Sequence, residues 1–191
     1  MASLELSDFQ KRKIISVFNT LYDTNKDGVI EKSDFEEAIN KICHIHGWPK
    51  GGEKYQEAQQ TLSMIWEGLK GIADKNQDDM VTKDEWVQMW SSCVRDVSSG
   101  EGFPHWQKKY MDFMFRVNDT SGDNYIDKTE YTTIYTSFGI DKDECESAFD
   151  HLADGTDGRI SREDFENLWR EYFVSDDISA RGNYLFGRPP F

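Results

Sequence analysis

Cysteine is scarce in this chain of 191 residues, and the three present, Cys43, Cys93 and Cys145, are odd in number and far apart. A disulfide framework is thereby excluded, and free thiols in a reducing compartment are expected. Basic residues are also in deficit: 22 Lys and Arg stand against 36 Asp and Glu, a net charge of −14. Nucleic acid and anionic membrane surfaces are poor partners for such a chain, because both need a basic face. No apolar run approaches the roughly 20 residues of a membrane-spanning helix. The opening Met1-Ala2-Ser3-Leu4-Glu5 lacks the basic and apolar segments of a signal peptide. Ala2 excludes N-myristoylation, and the Arg-Pro-Pro-Phe end has no cysteine to prenylate. The expectation is a cytoplasmic protein, monomeric, without a transmembrane segment. Disorder is excluded for most of the chain by a 37% hydrophobic and 14% aromatic content. What the composition favours is a cationic partner, provided the carboxylates converge.

A repeat organises the chain. Four times a carboxylate is followed directly by an aromatic residue, at Asp34-Phe35, Glu85-Trp86, Glu130-Tyr131 and Asp164-Phe165. Four positions before each carboxylate stands an aliphatic residue: Ile30, Val81, Ile126 and Ile160. After each, apolar residues recur with helical period, as in Phe35, Ala38, Ile39 and Ile42 or Phe165, Leu168, Trp169 and Tyr172. Similar stripes precede the loops: Ile14-Val17-Phe18-Leu21, Leu62-Ile65-Trp66-Leu69 extended by Ile72, Tyr110-Phe113-Met114-Val117, and Cys145-Ala148-Phe149-Leu152. Ser7 and Gln10 have capping-box spacing at the first helix. The unit is helix–loop–helix, four times over, which predicts an all-α fold of four units in two pairs forming one compact globule. The pairs are expected at 1–97 and 105–175, joined by the Gly-rich 98–104. A segment 176–191 with Gly182, Gly187, Pro189 and Pro190 is expected to lack regular structure. Its apolar Tyr184, Leu185, Phe186 and Phe191 are expected to pack on the body.

The loops carry the chemistry. Asp23, Asn25 and Asp27 occupy positions 1, 3 and 5 of a twelve-residue loop with Gly28 at 6, Val29 at 7 and Asp34 at 12. This is the EF-hand calcium pattern. Ca²⁺ is a hard cation that takes six to eight oxygens at about 2.3–2.6 Å. Alternate residues of a tight loop aim side-chain oxygens inward, and position 7 gives a backbone carbonyl, so Val29 can be apolar. In the second loop Asp74, Asn76, Asp78, Met80 and Glu85 take these roles, with Asp79 at the turn. In the third they fall to Asp119, Ser121, Asp123, Tyr125 and Glu130, with Asn124 at the turn. Asn tolerates positive φ well, Asp somewhat less. The fourth loop, aligned on Ile160 and Asp164, starts at Ala153 and has Gly155 at position 3, so two ligands are missing. It reads as a structural hand without its ion; a register shifted to begin at Asp154 would be one residue short. Three Ca²⁺ are expected. Asp34, a methylene shorter than Glu, predicts weaker Ca²⁺ selectivity and some Mg²⁺ occupancy in the first hand, because Mg²⁺ prefers one-oxygen contacts and retained waters. Three ions would take the net charge from −14 to −8.

Leu6-Ser7-Asp8-Phe9-Gln10, Val17 to Asp23, Val117 to Asn124 and the Gly182-Asn183 and Leu185-Phe186-Gly187 pieces give the chain a family likeness over essentially its whole length. It resembles the family of calexcitin and the invertebrate sarcoplasmic calcium-binding proteins. The resemblance implies two EF-hand pairs, calcium in hands one to three, an empty fourth, and a calcium buffer or signal modulator. It also implies a possible protein target such as an ion channel. The alternative to a buffer is a calcium sensor switch that exposes an apolar surface to regulate a channel or other target protein. GTP binding, attributed within the family, has little support: no phosphate loop is present, and Asp119-Thr120-Ser121-Gly122 is already explained by calcium. A photoprotein-like cavity lined by Trp fits poorly with an intact second and broken fourth hand. No catalytic constellation is visible, so an enzyme is not expected. His44 and His46 are two apart and do not share a helix face, which favours a helix terminus over a zinc site.

Overall fold

The structure is a computed structural model and describes residues 5–191; the opening Met1 to Leu4, on which part of the signal-peptide expectation rests, lies outside them. Eight α-helices follow in chain order among the described residues: α1 Asp8–Val17, α2 Lys32–His46, α3 Glu53–Ala73, α4 Lys83–Ser98, α5 His105–Asn118, α6 Lys128–Ser137, α7 Lys142–Leu152 and α8 Arg162–Val174. Between the helices of each unit lies a two-residue strand: β1 Val29–Ile30, β2 Val81–Thr82, β3 Tyr125–Ile126 and β4 Ile160–Ser161. β1 pairs antiparallel with β2, setting Ile30 opposite Val81. β3 pairs likewise with β4, setting Ile126 opposite Ile160. The aliphatic residue at position 8 is thus the pairing residue in all four loops. The fold is all-α, built of four helix–loop–helix units.

Local chemistry starts the helices where the spacing predicts. Ser7 and Gln10 close a reciprocal capping box on α1. Thr82 with Glu85, Asp127 with Glu130 and Ser161 with Asp164 do the same on α4, α6 and α8. Gly47 ends α2 in the left-handed conformation, φ 65°. The helical stripes are buried, with one exception. Ile72 is 40% exposed, and Ala73 takes the inward position in its place. The stripe can continue from Leu69 at i+3 or i+4, and α3 ends at the small residue that loop two closes over.

Aromatic residues fill the centre. Trp86 is fully buried, donates Nε1–H to the Ile14 carbonyl at 2.8 Å and lies 4.6 Å from the Tyr22 ring. Trp90 stacks on Phe173 at 4.4 Å, joining α4 to α8. α3 and α5 cross closely at Gly68, where a Cβ would come within 2.6 Å of Trp106 Cβ. Glycine costs a helix interior roughly 0.5–1 kcal/mol relative to alanine, and here the close crossing requires it.

The first helix does not run straight into its loop. Phe18–Tyr22 forms a π-turn, in which the Asp23 N–H reaches the Phe18 carbonyl at 2.8 Å. Such turns are frequent at functional sites, and this one delivers Asp23 to the first loop.

The 176–191 segment is more ordered than its glycines and prolines suggest: Arg181–Tyr184 forms a short 3₁₀ helix. Leu185 and Phe186 are buried, Tyr184 is half-buried, and Phe191 is 66% exposed, stacked on Phe9. Gly182 fits against α8 because a Cβ there would meet the Leu168 carbonyl at 2.5 Å.

A buried lysine links this segment to both ends of the fold. Lys13 Nζ donates to the carbonyls of Ser175 at 2.8 Å and Glu171 at 3.3 Å and to Asn183 Oδ1 at 2.9 Å. Burial pushes its pKa down to about 8 from 10.5, against the opposing pull of Asp176, Glu171 and Asp177. Between these two values the unfolded chain holds a proton that the folded chain has lost, so stability rises with pH through that window. Lys13→Met removes the effect. From about pH 7.5 to about pH 9.5, unfolding free energies are expected to shift in favour of the wild type by about 2 kcal/mol relative to the variant. Parallel lines for the two proteins would sink the prediction.

Candidate metal centres

Three of the four loops share one hydrogen-bond mesh. In loop one, Asp23 Oδ1 accepts from the Asp27 N–H at 3.1 Å and Oδ2 from the Gly28 N–H at 3.0 Å. Asn25 Oδ1 accepts from Asp27 at 2.9 Å, and Asp27 Oδ1 from Val29 at 3.1 Å. Loop two repeats this: Asp74 accepts from Asp78 and Asp79, Asn76 from Asp78, and Asp78 from Met80, all at 3.0–3.2 Å. In loop three Asp119 accepts from Gly122, Asp123 and Asn124, and Asp123 from Tyr125, within 2.8–3.1 Å. The alternating carboxylates are thus tied to one concave strip of backbone N–H groups.

The backbone pays for this curl at two places per loop. Position 4 is left-handed at Lys26, Gln77 and Gly122, and position 6 at Gly28, Asp79 and Asn124. Non-glycine residues rarely adopt positive φ, so four of these six positions hold conformations that the loop closure must enforce. In loop two Lys70 Nζ, from α3, pairs with Asp79 at 2.9 Å.

Position 12 closes each loop from the exiting helix. Asp34 is fully buried and accepts from the N–H groups of Thr24 at 2.8 Å, Asn25 at 3.1 Å and Glu31 at 2.8 Å. Burial raises its pKa, and those three donors oppose the rise. Glu85 accepts from the Lys75 and Thr82 N–H groups and the Thr82 hydroxyl. Burial works against its charge, but the Thr82 and loop donors outweigh it and hold the pKa below the ordinary value. Glu130 accepts from the Ser121 N–H at 2.9 Å and the Asp127 N–H at 3.0 Å.

Among the described residues no three carboxylate, imidazole or thiolate groups close on one point by themselves. The carboxylates are turned onto the loop N–H groups. A complete shell therefore needs Asn25, Asn76 or Ser121, the carbonyls of Val29, Met80 or Tyr125, and water. That all-oxygen donor set, with three carboxylates per loop, fits a hard divalent cation such as Ca²⁺ or Mg²⁺.

Loop four lacks the mesh. Ala153 offers no side-chain oxygen, and among the described residues Asp164 accepts only from Ser161. Asp157 is paired with Arg159 at 2.8 Å. Asp154, first residue of the shifted register, gives its carbonyl to Arg181 at 2.6 Å. The tail guanidinium was not foreseen from sequence; it lies 27 residues from its acceptor. His46 ends α2, where Nε2–H donates to the Val117 carbonyl at 3.0 Å and the ring stacks on Trp48. His44 and His46 form no metal cluster among the described residues.

The family model described as "EF hand" matches residues 20–39, from the end of the π-turn through loop one into the first half of α2. Sarcoplasmic calcium-binding proteins I, III, and IV of Branchiostoma lanceolatum are 31% identical to the chain over 185 residues, 97% of this chain and 100% of theirs. The chain belongs to the EF-hand family of sarcoplasmic calcium-binding proteins and calexcitin. Calexcitin-1 of Caenorhabditis elegans is 30% identical, covering 96% of this chain and 88% of its own. The solved structure of a sarcoplasmic calcium-binding protein from amphioxus superposes with a TM-score of 0.80 at 26% identity, over 96% of this chain and 100% of that one. Membership of the sarcoplasmic calcium-binding family makes the chain a calcium-binding protein. No helix among the described residues is long and apolar enough to cross a membrane.

Proposed function

We propose that the chain is a calcium buffer and signal modulator that holds three Ca²⁺ and catalyses nothing. The ions sit in loop one (Asp23, Asn25, Asp27, Val29, Asp34), loop two (Asp74, Asn76, Asp78, Met80, Glu85) and loop three (Asp119, Ser121, Asp123, Tyr125, Glu130). The single observation that carries this count is the same mesh in three loops and its absence in the fourth. The body then comprises pairs at 1–97 and 105–175, with 176–191 packed on it, against α1 as well as α8. A cytosolic setting agrees with the three buried, unpaired cysteines. A buffer is favoured over a switch because Phe186 already lies among Tyr135, Trp169, Tyr172 and Phe173, where a target side chain would dock.

The sensor reading has one observation in its favour. A cleft of about 730 Å³ opens between α2 and α3, floored by Phe35, Ile39 and Trp66, with Met64 53% exposed at its edge. Calorimetric titration with Ca²⁺, combined with a surface-hydrophobicity dye, separates the two. The buffer binds three ions with unchanged dye fluorescence. A clear rise in dye binding on loading would favour the sensor, and fewer than three ions would overturn the assignment.

The first loop should discriminate least between metals. Asp34→Glu restores the longer side chain and is expected to raise the Ca²⁺-over-Mg²⁺ preference of hand one by about tenfold in competition titrations. The gain is limited because the extra methylene enters a fully buried position. An unchanged preference would remove the carboxylate-length argument.

A further inference from the structure

The fourth loop contributes a charge to the third. Arg159 stands at position 7 of loop four, immediately before β4. Its guanidinium carbon lies 4.2 Å from the ring centroid of Tyr125, and NH2 donates to Asp157 at 2.8 Å. Tyr125 is position 7 of loop three, two residues after Asp123, and β3 carries it opposite Ser161. Asp157 foremost, and then Tyr125 and Asp123, favour the positive form of Arg159. The guanidinium therefore stands over the ring of the residue whose backbone carbonyl occupies position 7 of loop three, two positions along the chain from Asp123. In the first pair the corresponding positions are apolar, Val29 and Met80.

We propose that Arg159 sets the calcium affinity of hand three: held against Tyr125, it repels the incoming divalent cation and keeps that loop weaker than its own ligands would make it. The proposal rests on the reading that loop three binds Ca²⁺. Asp157 moderates the effect, since its carboxylate partly neutralises the guanidinium. Hand four, lacking its own ion, thereby acts as an affinity control for its neighbour.

The two partners should move the affinity in opposite directions. Interaction across an aqueous surface between a single charge and a divalent ion at about 10 Å amounts to a several-fold change in binding. Arg159→Gln is expected to bind Ca²⁺ at hand three about three- to tenfold more tightly. Asp157→Asn is expected to bind it about two- to fivefold more weakly, because the guanidinium is left unscreened. Arg159→Lys, which keeps the charge, should stay within about twofold of wild type. In about 1 M salt, where the Debye length is roughly 3 Å, the differences should collapse. Simple damage to loop four would push the Gln and Asn variants the same way, so the opposed signs distinguish charge from disruption.

The measurement is a Ca²⁺ titration of the full chain by two-dimensional NMR. Hand three is followed at the Asn124 amide, whose N–H donates to Asp119 Oδ2 at 3.0 Å, and hands one and two at the Gly28 and Asp79 amides. A selective shift of the Asn124 midpoint, with Gly28 and Asp79 unmoved, supports the proposal. A responsive Asn124 with the same midpoint in wild type and R159Q, or weakening in both R159Q and D157N, overturns it alone. An Asn124 resonance that ignores calcium in the wild type overturns the ion assignment of loop three, and the proposal with it.

Discussion

Glu130→Gln is expected to cost hand three about a hundredfold or more in Ca²⁺ affinity while leaving the other hands within a few-fold, because ligand charge count sets EF-hand affinity. Glu130 is 7% exposed and spans the loop: Oε1 accepts from the Ser121 N–H and the Thr120 hydroxyl, and Oε2 from the Asp127 N–H. Both oxygens already face donors. An amide NH₂ put in place of either would point its hydrogens at another N–H. The variant thus loses one negative charge, one oxygen for the ion and one internal bond at a largely buried position. Losing a partner at such a site costs roughly 1–3 kcal/mol, so the ion-free protein should also be less stable. The check is calorimetry on wild type and variant: the expected stoichiometry falls from three tight sites to two. Retention of all three at similar affinity would mean that the loop-three ligand set is misassigned.

The loop geometry was legible in the sequence because the contacts inside a loop are short-range. Asp23 and Gly28, or Asp119 and Asn124, are five residues apart, and the spacing of oxygens along twelve residues determines which N–H each can reach. The helical faces were legible for the same reason: Phe165, Leu168, Trp169 and Tyr172 had to share a face, and all four are buried. Where two residues competed for one inward position the pattern could not choose, and Ile72 was placed inside when Ala73 is. Features that depend on distant partners left no local sign. Lys13 stands in a run of charged residues and reads as solvent-facing, yet it is fully buried because its acceptors lie 158 to 170 residues away. The π-turn at Phe18–Tyr22 likewise has no signature in composition or spacing. Its effect is seen only in how Asp23 enters loop one.

Phe186→Ala is expected to be the most damaging single change outside the four hands. The ring is 6% exposed and meets Tyr172 at 4.7 Å, Trp169 at 5.5 Å, Tyr135 at 5.9 Å and Phe173 at 6.1 Å, three of them edge-on to residues of α8. Truncating a buried phenylalanine costs about 3–5 kcal/mol, because the surrounding rings close the space only in part. In a chain of this size that corresponds to a fall in melting temperature of about 10 °C. The backbone around it is also engaged: the Gly187 N–H donates to Tyr131 Oη at 3.1 Å, and the Arg188 N–H to Glu144 Oε1 at 2.9 Å. Loosening Phe186 should therefore release neighbouring residues and uncover the aromatic wall, so that the variant binds a hydrophobic dye even without calcium. Phe191→Ala is the matched control. That ring is 66% exposed and touches the body through its stack on Phe9, at 5.9 Å. Its removal should cost less than about 1 kcal/mol, as surface changes generally do. A large loss at Phe186 with little at Phe191 would place the anchor of the segment in the α8 groove; equal and small losses would mean that the segment only rests on the surface, leaving that groove available to a partner.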